Sequence, residues 1–162
     1  MRRLLALVAS VAAFAILALP ASASGAGAMS FTQTFHNATQ SFSAANPCTG
    51  VPATVDLTFN GAFHITVLTS GVGAGTGWAT FTGTGDFVLS QINGITFTGH
   101  FTMWDGESFN LTNFAATAIL VIHGTGSDGS TLDFHEVFHI TVVGTDTSSP
   151  TVVVNFDKPT CG

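Results

Sequence analysis

The stretch Thr131-Leu132-Asp133-Phe134-His135-Glu136-Val137-Phe138-His139-Ile140-Thr141-Val142-Val143 decides how the chain is read. It contains His135-Glu136-Val137-Phe138-His139, a match to H-E-x-x-H. On a helix that spacing puts two imidazoles on one face to hold zinc, with the glutamate as general base. The surroundings favour a strand instead. Phe134, Phe138, Ile140 and Val142 alternate with His135, Val137, His139 and Thr141, and β-branched residues fill the segment. In a strand, positions four apart are separated by roughly 13 Å, too far to share one ion with bonds of about 2 Å. Downstream, only Asp146 and Asp157 follow as acidic ligands. A zinc-dependent hydrolase using His135, Glu136 and His139 is therefore the alternative, and an extended segment the working reading.

The same period of two recurs on both sides of this stretch, and no segment beyond the first residues has the apolar spacing of an amphipathic helix. Strands are expected at 31–36, 53–68, 76–83, 85–92, 95–104, 114–124, 131–143 and 151–157. Asn93-Gly94 and Asp128-Gly129 are two-residue hairpin signals. Asn60-Gly61 is not, because Leu57, Phe59, Phe63, Ile65 and Val67 keep one phase through it; Gly61 is expected to be a kink or bulge. Many strands with Gly-rich turns and no crossover helix predict an all-β fold, an antiparallel barrel of about eight strands, with a sandwich as the alternative. Phe63-His64-Ile65-Thr66-Val67 is echoed by Phe138-His139-Ile140-Thr141-Val142, too short a match for a repeat architecture.

Five of the six histidines adjoin a phenylalanine: Phe35-His36, Phe63-His64, His100-Phe101, Phe134-His135 and Phe138-His139. Alternation then sends the phenylalanines to one face and these histidines to the other. The histidines are either simply solvated or gathered into a metal-binding or pH-sensitive patch. Glu136 breaks the pattern, since it shares the phase of Phe134 and Phe138. A carboxylate there sits at a barrel mouth or is buried with a raised pKa, which makes it a candidate catalytic or binding residue. Ala118 through Gly126 is an apolar strand running into His123-Gly124, like the oxyanion loop of α/β-hydrolases. Thr125-Gly126-Ser127-Asp128-Gly129 lacks the first glycine of G-x-S-x-G, however, and no helices alternate with the strands. Asn37-Ala38-Thr39 and Asn110-Leu111-Thr112 are glycosylation sequons.

Met1-Arg2-Arg3, the apolar stretch Leu4–Leu19 and the small residues Ala21-Ser22-Ala23 read as a signal peptide over residues 1–23, with an alternative cut after Ala28. Residues 29–162 then form one β domain, and localisation is secreted. The apolar stretch is shorter than the roughly twenty residues of a membrane span, so no stable span is expected after cleavage. Beyond the signal, Lys158 is the only Lys or Arg against nine Asp and Glu. Such an acidic chain repels phosphate, which argues against nucleic acid as a partner. Cys48 and Cys161 are the only cysteines, and export predicts that they pair.

Phe31-Thr32-Gln33-Thr34-Phe35-His36-Asn37, Asn46-Pro47-Cys48-Thr49-Gly50, Thr98-Gly99-His100-Phe101-Thr102, the run from His123 to His139, and Phe156-Asp157-Lys158-Pro159 with Cys161-Gly162 together carry a resemblance. In these segments the chain resembles a group of secreted actinobacterial two-cysteine proteins. An acidic residue often follows the Asn-Pro-Cys-Thr-Gly motif in that group, where this chain has Val51. The resemblance implies export and a two-cysteine domain, and it brings no catalytic residues.

The functional expectation is a secreted, non-enzymatic β domain that binds a small apolar ligand or a surface partner without a cofactor. The alternatives are the zinc hydrolase, a barrel isomerase or hydrolase using Glu136, and a structural envelope protein. A hollow interior lined by Glu136 favours a carrier or an enzyme; an interior plugged by phenylalanines favours a surface role.

Overall fold

Period-two patterning produces seven strands and no helix in residues 27–162, the part of the chain described by this computed structural model. The segment read as a signal peptide lies outside these residues. Among them no helix is long and apolar enough to cross a membrane. The strands are β1 (Ala28–Ala45), β2 (Pro52–Leu68), β3 (Gly77–Gln91), β4 (Thr96–Phe109), β5 (Asn113–Gly126), β6 (Thr131–Val143) and β7 (Thr151–Cys161). Every neighbouring pair is antiparallel, and the spatial order follows the chain order from β1 to β7 in one sheet.

The all-β antiparallel expectation is met, with two corrections to its detail. The first is the count, seven strands instead of about eight, because the expected strands 76–83 and 85–92 are one. Gly83-Thr84-Gly85 resembles a break in sequence. In the ladder, Gly83 pairs with Gly61 and Met103, and Gly85 with Phe59 and Phe101, without a register shift. The second concerns closure: no hydrogen-bonded ladder joins β1 to β7, so the sheet is not closed.

β1 is also much longer than the expected 31–36. A bulge between Phe35 and Ala38 carries it past Asn37, which adopts φ of 49° and donates its backbone N–H to Asn60 Oδ1 at 3.0 Å. The inserted residue switches the phase, so Phe31 and Phe35 before it and Phe42 and Ala44 after it share one face. β2 crosses Asn60-Gly61 without a turn, as its phase predicted. The bulge lies in its neighbour, and Gly61 remains glycine because a Cβ would stand 2.5 Å from the Thr82 carbonyl oxygen.

Both hairpin signals form turns, with loops one residue longer than expected. Ile92-Asn93-Gly94 and Ser127-Asp128-Gly129 are three-residue loops. In each, the glycine donates its N–H three residues back, Gly94 to Gln91 O and Gly129 to Gly126 O. Each glycine has positive φ, 90° and 83°, the left-handed position that completes a type I turn with a bulge. Asn93 and Asp128 stiffen the loops by accepting the N–H of Ile95 and Ser130.

One face of the sheet is the core. Ala53, Val55, Phe87, Leu89, Phe97, Phe101 and Leu132 form its buried cluster. Each large side chain among them stabilises the fold by roughly 1.5–3 kcal/mol through burial. The Cys48–Cys161 disulfide is formed, with Cα atoms 5.7 Å apart, consistent with an oxidising location. It ties the β1–β2 corner to the last strand, so the two edges that share no hydrogen bonds are joined covalently. The corner is shaped by Asn46, which is buried and accepts the N–H groups of Cys48 and Thr49 on its side-chain oxygen.

Candidate functional site

The inner face encloses a cavity of about 680 Å³, and all seven strands contribute to its wall. Phe42, Leu57, Met103, Leu120 and Ile122 are among its apolar lining residues. Two of the lining rings, Phe59 and Phe81, pack with each other and with Phe35, the three centroid separations being 5.8, 6.2 and 6.4 Å. The exposed lining residues are Ser43 of β1, Pro47, Gly50 and Pro52 at the β1–β2 corner, and Asp157 and Pro159 of β7. The mouth is therefore the seam between the edge strands, pinned by the disulfide. A volume in this range suits a small ligand.

Two carboxyls stand in this apolar wall. Glu136 projects inward from β6 between Leu120 of β5 and Pro159 of β7, its direct register partners. It is 3 % exposed, and its Oε2 has no hydrogen-bond partner. Asp157 lies two residues before Pro159 on the same face of β7 and also lines the cavity. Burial pushes the Glu136 carboxyl up to about 7. Asp157 adds to the rise, as hydrogen-bond partner to the protonated form and as a like charge against the ionised one.

A third inward carboxyl, Asp105 of β4, stands opposite Phe81 in the ladder. It is 9 % exposed with Oδ1 unpartnered, and burial followed by repulsion from Glu107 raises it to about 6. Burial raises Glu107 as well. Sequence reading found Glu136 and missed Asp105, although the same signal was present: Phe97, Phe101 and Asp105 share one phase. Asp157 had no such signal. A register shift in the β6–β7 ladder leaves Phe156 outside, 47 % exposed and opposite His139, and turns Asp157 inward.

The H-E-x-x-H residues are divided by the strand. Residues 131–143 are extended throughout, so His135 and His139 lie on the outer face and Glu136 on the inner one. Both nitrogens of His139 are engaged, Nδ1 with Thr117 Oγ1 at 2.7 Å and Nε2 with Thr141 Oγ1 at 3.2 Å. The sequence echo gains a structural meaning here. His64 makes the same pair of bonds, Nδ1 to Thr32 Oγ1 at 2.7 Å and Nε2 to Thr66 Oγ1 at 3.1 Å. In both copies one threonine is the cross-strand partner and the other lies two residues on. Hydroxyls donate or accept, so either tautomer is served.

The remaining histidines do not converge on these. His100 and His123 are register partners on the outer face, flanked in the same row by Asp86 and Asp133. His100 Nδ1 pairs with Asp86, and His123 Nδ1 with Asp133 at 2.6 Å. Both pairs are exposed, where ion pairs contribute little to stability. Among the described residues no group of three or more His, Cys, Asp or Glu is placed to hold a metal ion.

No family model, curated protein or solved structure matches this chain. The cavity and its carboxyl pair are therefore the basis for a functional reading.

Proposed function

We propose that the chain is an exported binding protein whose curled sheet works as a barrel and holds one small apolar ligand in its interior. The observation that carries this reading is the cavity of about 680 Å³, walled by aromatic and aliphatic side chains and open at the β1–β7 seam. A preformed apolar cavity with a few polar groups is the usual form of a small-molecule site. The acidic balance of the chain supports an uncharged or cationic ligand over a phosphorylated one.

A second reading, acid–base catalysis on such a ligand, is favoured by Glu136 alone. A carboxyl near 7 inside an apolar cavity is poised to take and return a proton at neutral pH. Binding and catalysis separate simply: a carried ligand is recovered chemically unchanged.

Titration with Nile red, a neutral apolar fluorophore, tests the first reading. The expected result is saturable binding of one dye per chain, displaced by dodecanol. Leu120→Trp fills the cavity and is expected to weaken binding by about tenfold or more while the disulfide and β-sheet circular dichroism persist. Unsaturable binding, or equal affinity in the variant, overturns it.

A further inference from the structure

Within the cavity the polar groups are unevenly distributed. Glu136 and Asp157 place two carboxyls on one side of a wall that is otherwise mostly apolar, and Glu136 Oε2 is buried with nothing to receive. An acceptor left unpaired away from water is costly, and a ligand that brings a donor to it removes that cost.

The groups around the pair decide which donor fits. On β5, Leu120 is opposite Glu136, and Ile122 follows on the same face. On β7, Pro159 is opposite and Asp157 diagonal, while Lys158 pairs with Val137 in the alternate phase, on the outer face. Across the cavity β1 presents Gln40 and β4 presents Met103, with Asp105 one inward position further along β4. Of the titratable groups facing the pair, all are carboxyls, and no Lys or Arg beyond the signal segment other than Lys158 exists to balance them.

Resting on the cavity reading, we infer that the ligand is an apolar amine, whose ammonium group is held between Glu136 and Asp157 while its hydrocarbon body fills the space against Leu57, Met103, Leu120 and Ile122. An ammonium has donors for both carboxyls and no acceptor to place against them. Bonds from such a donor to an ionised carboxylate are the stronger, charge-assisted kind. A fatty acid is excluded by the same groups, since its carboxylate meets two others in an apolar wall. An alcohol enters and satisfies one acceptor only.

The raised pKa of Glu136 adds a pH dependence. Above neutrality the pair is ready for a cation. As pH falls, Glu136 takes a proton, the charge facing the ammonium is reduced, and the amine loses affinity while the alcohol does not.

The test compares dodecylamine, dodecanol and dodecanoate, each below its micellar concentration, by calorimetry on the disulfide-bonded protein. At about pH 8 the amine is expected to bind roughly tenfold or more tighter than the alcohol, as for hydrogen bonds to charged groups. Dodecanoate is expected to bind weakest. Glu136→Gln with Asp157→Asn is expected to bring the amine down to the affinity of the alcohol, whose hydroxyl still finds an amide oxygen to accept its hydrogen bond. Asp146→Asn, which removes an exposed charge, is expected to preserve the preference and so separates the site from general attraction to an acidic surface. If the alcohol binds as tightly as the amine, or the double variant keeps the preference, the inference is overturned and the cavity reading stands. If none of the three binds, both fall together.

Discussion

Glu136 carries more of this account than any other residue, and its energetics can be measured without knowing a ligand. Its carboxyl titrates near 7 in the fold against an ordinary 4.5, so the folded state holds a proton that the unfolded state has released between those values. Stability is therefore fully present below about pH 4.5 and is lost as pH rises through 7. Asp105, raised from 3.8 to about 6, acts in the same direction. Urea unfolding of the protein is expected to show stability falling by on the order of a few kcal/mol between about pH 5 and pH 8. Glu136→Gln, which cannot ionise, is expected to flatten part of that slope and to raise stability at about pH 8; an unchanged slope would place the carboxyl in water. The inward setting of Glu136 was legible from phase alone, since Phe134 and Phe138 flank it. The partner Asp157 was not, because the register shift beside the β6–β7 loop, where Val142 faces Val152 and Thr141 faces Val154, reverses the phase of β7 and leaves no mark in its local pattern. The histidines follow the same division. Their outward placement was legible from the adjoining phenylalanines, whereas the threonine clasps on His64 and His139 depend on which strands lie side by side.

At the scale of elements, glycine is where reading and structure part. Gly83 and Gly85 look like punctuation, but they lie inside β3 because the inner face there must pass close to Phe59 and Phe81, and a missing side chain makes room. Gly61 does the same work in β2, where continuous phase had already excluded a turn. Gly61→Ala is expected to destabilise by about 1–3 kcal/mol through overpacking against the Thr82 carbonyl, read from the urea midpoint. A change near zero would mean that β2 and β3 can separate at this point without loss. The glycines of the two hairpins obey the opposite logic, since there a left-handed φ is required and the Asn-Gly and Asp-Gly pairs announce it. Loop length escaped the sequence because a left-handed glycine serves a two-residue turn and the bulge of a three-residue loop alike, so Asn-Gly and Asp-Gly do not separate the two. The bulge at Asn37 was hidden for a similar reason, and it made a strand of eighteen residues look like one of six.

For the whole molecule, the joining of the two edges matters most. β1 and β7 share no ladder, and the disulfide spanning 113 residues holds the corner of one against the end of the other. In the chain-entropy view a cross-link over so long a loop stabilises by roughly 4–5 kcal/mol. It also leaves the seam beside it free of backbone hydrogen bonds, which is where the cavity opens. Export and pairing of Cys48 with Cys161 were expected from sequence; the cavity was left open as hollow or plugged, because volume depends on how far a sheet curls and local pattern does not report curvature. The central claim is that ligand enters this interior, and methyl-resolved nuclear magnetic resonance during a dodecanol titration addresses it most directly. The account predicts saturable shifts of the Leu57, Met103, Leu120 and Ile122 methyls, with Val88 on the outer face unmoved. Shifts confined to the exposed Val152–Val154 edge, or none at saturating alcohol, would contradict it.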